Sequence, residues 1–184
     1  MTDDFIEIEL NGELLQEIVV SGDKIRLTEI VESVPESNLL RHVMHLDDEE
    51  RDQLISMLTP IQAAELIDDA PDNLAASLLD GLESKVAAKI MEELQSDMQA
   101  DIVHKLDSDD AEAILSEMEE EDAEGVRKLV QYEHDTAGGL MEWEIFSFQT
   151  TETVGKLLRR LASGDDDFER YRGQHPYIFD ETGK

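Results

Sequence analysis

The chain has 184 residues and a formal net charge of −31, from 46 Asp and Glu against 15 Lys and Arg. This charge argues against binding to nucleic acid or to an anionic membrane surface, because both need a positively charged footprint. The chain has no cysteine, which excludes disulfides, thiolate metal sites and cysteine nucleophiles. No apolar run approaches the roughly 18 residues of a membrane span, so we expect the polypeptide to be soluble.

A twelve-residue repeat runs from Leu10 to about Val130 and forms ten units. Two adjacent columns of the repeat are aliphatic in nine of ten units, and the exceptions are His42 and Arg127. Within a unit the apolar residues follow the i, i+3, i+4, i+7 spacing of one helix face. Twelve residues at about 100° each rotate that face by roughly 120° per repeat, so one continuous helix could not keep a common seam. The repeat therefore predicts an all-α, superhelical solenoid of about ten short helices.

The joints between units carry the residues that begin helices. Thr59-Pro60-Ile61-Gln62 and Ser96-Asp97-Met98-Gln99 have the form of capping boxes, and Pro71 lies at an equivalent joint. His42 is predicted to be a half-buried structural histidine, and Arg127 an exposed or paired side chain at the end of the solenoid.

The helical period ends after Tyr132, where the stretch 135–141 contains a glycine pair suited to a turn. We expect a helical-repeat domain at 1–132, a linker at 133–142 and a partial α/β domain at 143–184. In the partial α/β domain, residues 144–149 are predicted to form a strand and residues 177–180 a second strand. Between them, Thr150 or Thr151 is predicted to cap a helix that runs through Leu161. The sequence ends with these strands exposed and with nothing to cover them, so we expect this domain to be truncated.

These parts resemble a known family. A solenoid of short acidic helices running into Tyr132-Glu133-His134-Asp135-Thr136-Ala137-Gly138-Gly139-Leu140-Met141 is similar to the cytosolic N domain of MgtE-type magnesium channels and transporters. The stretch after it, with Tyr-Ile-Phe-Asp-Glu-Thr-Gly-Lys at 177–184, resembles the opening of that family's first CBS domain. The resemblance implies a regulatory domain at the cytoplasmic face of the cell membrane, whose partners are divalent cations and the CBS and membrane domains of its own parent protein. It also implies a homodimeric parent, whereas we expect this chain to be monomeric.

The resemblance further implies that intracellular Mg²⁺ closes the parent's pore by bridging acidic domain interfaces. Matched repeat to repeat, the family's N-domain magnesium positions fall on Glu65, Asp97 and Asp101. Asp97 and Asp101 are i and i+4 on one helix face, while Glu65 and Asp101 share the eighth position of their units. Because the chain would supply only half of each site, we expect it to bind Mg²⁺ weakly.

Other motifs do not point to an enzyme. Asp107-Ser108-Asp109-Asp110 begins like a calcium loop but lacks the glycine and the glutamate that an EF-hand requires. Asp165-Asp166-Asp167 with Glu169 is typical of solvated surface, and His104 and His134 are isolated in sequence. Two other functions remain open. One is a scaffold like the helical domains of flagellar motor switch proteins, and the other is an adenine-nucleotide sensor acting through CBS domains. A salt-rich habitat could also account for the acidity.

Overall fold

The computed structural model describes residues 10–133, 135–142, 147–162, 177–180 and 182. The chain divides into two compact units, Met1–Met141 and Glu142–Lys184. The described helices of the first unit are α1 (Gly12–Ser21), α2 (Lys24–Ser33), α3 (Glu36–Val43), α4 (Asp48–Met57), α5 (Pro60–Asp68), α6 (Asp72–Asp80), α7 (Ser84–Met91), α8 (Ser96–Lys105), α9 (Ser108–Leu115) and α10 (Glu120–Leu129). The second unit contains β1 (Ser147–Gln149), α11 (Val154–Ala162) and β2 (Tyr177–Phe179).

The solenoid predicted from the twelve-residue repeat is confirmed. Helices pack against their second neighbours, so that α3, α5, α7 and α9 form one row and α4, α6, α8 and α10 form another. The aliphatic columns supply the core: Leu54, Ile67, Leu78 and Ile102, for example, have no more than 1% of their surface exposed. A helix of eight to ten residues is marginal alone, so these buried contacts are what hold each unit in place.

The first predicted capping box is present. Gln62 N donates to Thr59 Oγ1 at 3.3 Å, and Thr59 N donates to Gln62 Oε1 at 3.1 Å. Asp47 and Glu50 form a second reciprocal box at the start of α4. Each box satisfies backbone donors at a helix start that would otherwise have no partner inside the helix.

The capping box predicted at Ser96 is wrong. Gln95 is the N-cap of α8, and its side chain makes no cap hydrogen bond. The Gln99 side chain instead turns inward and is 3% exposed; its Nε2 donates to Met91 O at 2.7 Å and to Leu94 O at 2.9 Å. These carbonyls lie at and just beyond the end of α7, where the helix itself provides no donors. Gln99 therefore joins the end of α7 to the start of α8.

The two exceptions to the aliphatic columns behave as predicted. The structure places His42 half-buried. Arg127 pairs with Glu112 at 2.8 Å, with 41% of the arginine side chain exposed.

In the second unit, β1 and β2 are parallel neighbours, with Phe148 opposite Ile178. Phe148 is buried, and the Arg160 guanidinium lies 5.2 Å from the centre of its ring. The predicted cap of α11 is wrong: the helix begins at Val154, and Thr153 Oγ1 accepts from Lys156 N at 3.3 Å. The predicted strand residues 144–146, the acidic run at 165–169 and His134 lie outside the described residues.

Over the part of the chain that the structure describes, no helix is long and apolar enough to cross a membrane.

Candidate functional site

Helix α8 carries two of the three predicted magnesium residues, Asp97 and Asp101, one turn apart, and both are half-buried. Asp97 lies in the first turn, where a carboxylate complements the partial positive charge of the helix N-terminus. Met98 N donates to Asp97 Oδ1 at 2.8 Å, which uses one oxygen of this carboxylate. The row of α6, α8 and α10 holds the helix, so the two carboxylates stand on a packed element.

Helix α5, in the other row, carries the third predicted residue, Glu65, which is exposed. The α5 carboxylate that interacts electrostatically with α8 is Asp68, one turn after Glu65. Burial raises the pKa of Asp68, and the charges of Asp69 and Asp97 raise it further. The end of α5 and the start of α8 therefore present like charges to each other. Asp68 was not among the predicted site residues, because an Asp pair among 46 carboxylates gives no distinct sequence signal.

Asp101 lines a cavity of about 460 Å³ in the first unit. The cavity combines four carboxylates with two basic side chains, and its lining residues are Asp72, Asp101, His104, Lys105, Glu133 and Asp135. His104, described above as isolated in sequence, is not isolated in space: its Nε2 lies 3.2 Å from Tyr132 O. No sequence signal pointed to this cavity, since its members come from α6, α8 and the segment after α10.

A second acidic cluster lies where α4 packs against α6. Burial raises the pKa of Asp52, and the charges of Asp48, Asp80 and Glu49 raise it further. None of these residues was predicted as a site.

Neither cluster is a complete metal centre. Within the described ranges, no group of three or more His, Asp or Glu side chains is arranged to hold a metal ion. Mg²⁺ takes oxygen ligands, keeps several of its waters and is commonly bound through one or two carboxylates. The donor set of Asp97 and Asp101 fits that chemistry as one side of a shared site.

Comparisons with known proteins agree on one family. Residues 34–135, more than half of the chain, match the family described as the MgtE intracellular N domain. A search of curated proteins finds no significant match.

Two solved structures are similar to the chain. One is described as the soluble part of a magnesium transporter, with a TM-score of 0.74 and 23% identity, and the alignment covers 92% of this chain and 66% of that one. The other is described as the cytosolic domain of the Mg²⁺ channel MgtE in complex with ATP, with a TM-score of 0.77 and 27% identity. That alignment covers 95% of this chain and 71% of the other. The chain thus spans about two thirds of the length of these solved chains.

The matched family is described as the MgtE intracellular N domain, and it is not an enzyme family. The match covers α3 to α10 in full, including both α8 carboxylates. The chain belongs to the family of the MgtE intracellular N domain.

Proposed function

We propose that this chain is the Mg²⁺-sensing regulatory part of an MgtE-type magnesium channel or transporter. In this proposal, intracellular Mg²⁺ bridges acidic surfaces of the chain to acidic groups that face them in the parent protein, and the bridged arrangement keeps the pore closed. The observation that carries the proposal is the position of Asp97 and Asp101, half-buried and one turn apart on α8, within the region that matches the MgtE intracellular N domain.

The mechanism follows from the electrostatics of these carboxylates. With a net charge of −31, any acidic surface brought near this one is repelled unless a cation lies between them. Asp97 and Asp101 would supply the ligands from this chain, and Glu65 and Asp68 would add negative potential from α5. Mg²⁺ supplies positive charge and a hydration shell that can bridge two surfaces. It shifts the equilibrium to the closed state only as far as it binds that state more tightly than the open one.

The test uses the full-length parent protein. Replacing Asp97 and Asp101 together by Asn should leave the pore able to conduct but weaken its closure by high intracellular Mg²⁺. Residual Mg²⁺ uptake at high internal Mg²⁺ should therefore exceed that of the wild type. The control is the double variant Glu29→Gln with Glu32→Gln, which removes two exposed charges from α2. Equal Mg²⁺ inhibition in both double variants and the wild type would exclude Asp97 and Asp101 from the sensor.

Nucleotide binding is a second candidate function, because one similar solved structure is a complex with ATP. ATP added to the chain with and without Mg²⁺ separates the two functions. Stabilisation by ATP alone would support a nucleotide sensor, while stabilisation by Mg²⁺ alone supports the cation sensor.

A further inference from the structure

The segment after α10 folds into a hydrogen-bonded turn. The Thr136 hydroxyl donates to Glu133 O at 2.7 Å, and Thr136 N donates to the same oxygen at 3.0 Å. Gly139 N donates to Thr136 Oγ1 at 3.3 Å, and Leu140 N to Thr136 O at 3.1 Å. We name residues 135–141 the turn segment; they belong to the first unit.

Tyr132 connects the turn segment to the helices. Its ring lies so close to Gly138 that a Cβ at this glycine would overlap it, with only 2.6 Å to Tyr132 Cγ. The glycine is needed for this close approach and not for a left-handed backbone, since Gly22 is the one described residue with a positive φ. The carbonyl oxygen of Tyr132 accepts a hydrogen bond from His104 Nε2 at 3.2 Å.

We propose that His104 and Tyr132 form a clasp that holds the turn segment against α8. The hydrogen bond fixes the Tyr132 backbone, and the Tyr132 ring in turn fixes Gly138. His104 follows Asp101 by three residues on α8, so the two side chains share a helix face. They line the same cavity as Asp135 of the turn segment and Glu133, which lies just before that segment.

The clasp gives α8 a second role, independent of cation binding. The helix that carries Asp97 and Asp101 also anchors the segment through which the chain leaves the first unit. A displacement of α8 would therefore reach the turn segment through the His104 hydrogen bond as well as through the packing of α8 against α10. The clasp stands on contacts inside the first unit, so it can be tested without Mg²⁺.

Amide hydrogen exchange in the 184-residue chain, resolved by NMR in the absence of Mg²⁺, tests the clasp. His104→Ala should speed exchange of the Gly139 and Leu140 amides by about 2- to 10-fold, the effect expected of one hydrogen bond. His104→Gln keeps an N–H donor and should restore part of the protection. The control His45→Ala removes another exposed histidine and should change nothing in the turn segment. Unchanged exchange in His104→Ala would overturn the clasp, as would an equal increase at the core amide of Ile67.

A second variant tests the ring contact without touching α8. Gly138→Ala must push the Tyr132 ring or the turn backbone aside, so it should also speed exchange of Leu140. The control Gly155→Ala has room for the added methyl, with its nearest neighbours at 4.0 Å. If Gly138→Ala leaves the turn segment fully protected, the ring does not hold it, and the proposal fails even if His104→Ala behaves as expected.

Discussion

Asp68 at the end of α5 and Asp97 at the start of α8 repel each other, although α5 and α8 belong to different rows of the solenoid. Burial is the main reason that the pKa of Asp68 is raised, and the charges of Asp69 and Asp97 add to it. A cation bound near these two carboxylates would reduce the repulsion and stabilise the folded chain. The repulsion is also a cost to stability at neutral pH that a neutral side chain would remove.

Asp68→Asn should therefore stabilise the chain at pH 7. Because the folded-state pKa of Asp68 is raised, the ionised carboxylate is the penalised form. The penalty is present above that pKa and disappears as the pH falls below the unfolded value of about 3.8. The gain should be roughly 0.2 to 1 kcal/mol, the range for charge pairs near the surface. Urea unfolding between pH 3 and pH 7 measures it. Glu29→Gln, an exposed carboxylate on α2, is the control; an equal gain there would show that only the net charge matters.

Gly81 and Asp52 should show coupled effects on stability. Gly81 is the C-cap of α6 with a φ of −83°, a conformation open to alanine, but an added Cβ would overlap the Asp52 carboxylate. In an Asp52→Ala background, Gly81→Ala should stabilise by up to about 1 kcal/mol, through loss of unfolded-state entropy. In the wild type the same change should be less favourable or destabilising. A double-mutant cycle of unfolding free energies measures the coupling between the two positions. Additive effects would mean that the Asp52 carboxylate moves aside without cost.

The sequence predicts the helical unit well because one physical signal is repeated ten times. Each unit shows the same apolar stripe, so an error at one joint does not change the phase of the other units. The two exceptions to the aliphatic columns, His42 and Arg127, also have the exposure predicted for them. The candidate site was harder to predict. Asp68 and Asp97 come together only through the packing of two rows, which a twelve-residue period does not encode.

The wrong helix starts have a local reason. Ser96 and Gln99 have the composition of a capping box, but the Gln99 amide lies close to the carbonyls of Met91 and Leu94, at and just beyond the end of α7, and bonds to them instead. At the start of α11 the hydroxyl of Thr153, and not that of Thr150 or Thr151, accepts a hydrogen bond from Lys156 N. Several threonines in a row offer competing caps, and the sequence alone does not rank them.

Gln99→Glu should destabilise the first unit at neutral pH. The change removes the donors to Met91 O and Leu94 O from a buried position and brings a charge near two carbonyl oxygens. We expect a cost of roughly 1 to 3 kcal/mol or more. Lowering the pH should recover part of the loss, because a protonated carboxyl donates one hydrogen bond. Asn73→Asp, which adds the same charge at an exposed position of α6, should have a small effect; equal losses in both variants would contradict the role of Gln99.

Ile90→Ala and Ile102→Ala should each cost roughly 2 to 5 kcal/mol, as for other large-to-small changes in a core. Both side chains are at most 1% exposed, and α7 and α8 each lie in the middle of a row of packed helices. Ile61→Ala is the control, because that side chain is 57% exposed, and it should change stability by less than about 0.5 kcal/mol. Chemical denaturation measures all three. Costs below about 0.5 kcal/mol at both buried positions would contradict the assigned core.

Thermal unfolding of the 184-residue chain against Mg²⁺ concentration tests whether α8 carries ligands of a magnesium sensor. At ten times its dissociation constant, Mg²⁺ stabilises the folded state by about 1.4 kcal/mol, or roughly 3 to 6 °C for a chain of this size. NaCl at matched ionic strength supplies the control for screening of the −31 charge. If α8 carries these ligands, Mg²⁺ should raise the unfolding temperature more than NaCl does, both in the wild type and in Glu29→Gln with Glu32→Gln. This additional rise should be lost in Asp97→Asn with Asp101→Asn. A Mg²⁺-specific rise that persists in the α8 double variant would show that Asp97 and Asp101 are not the ligands.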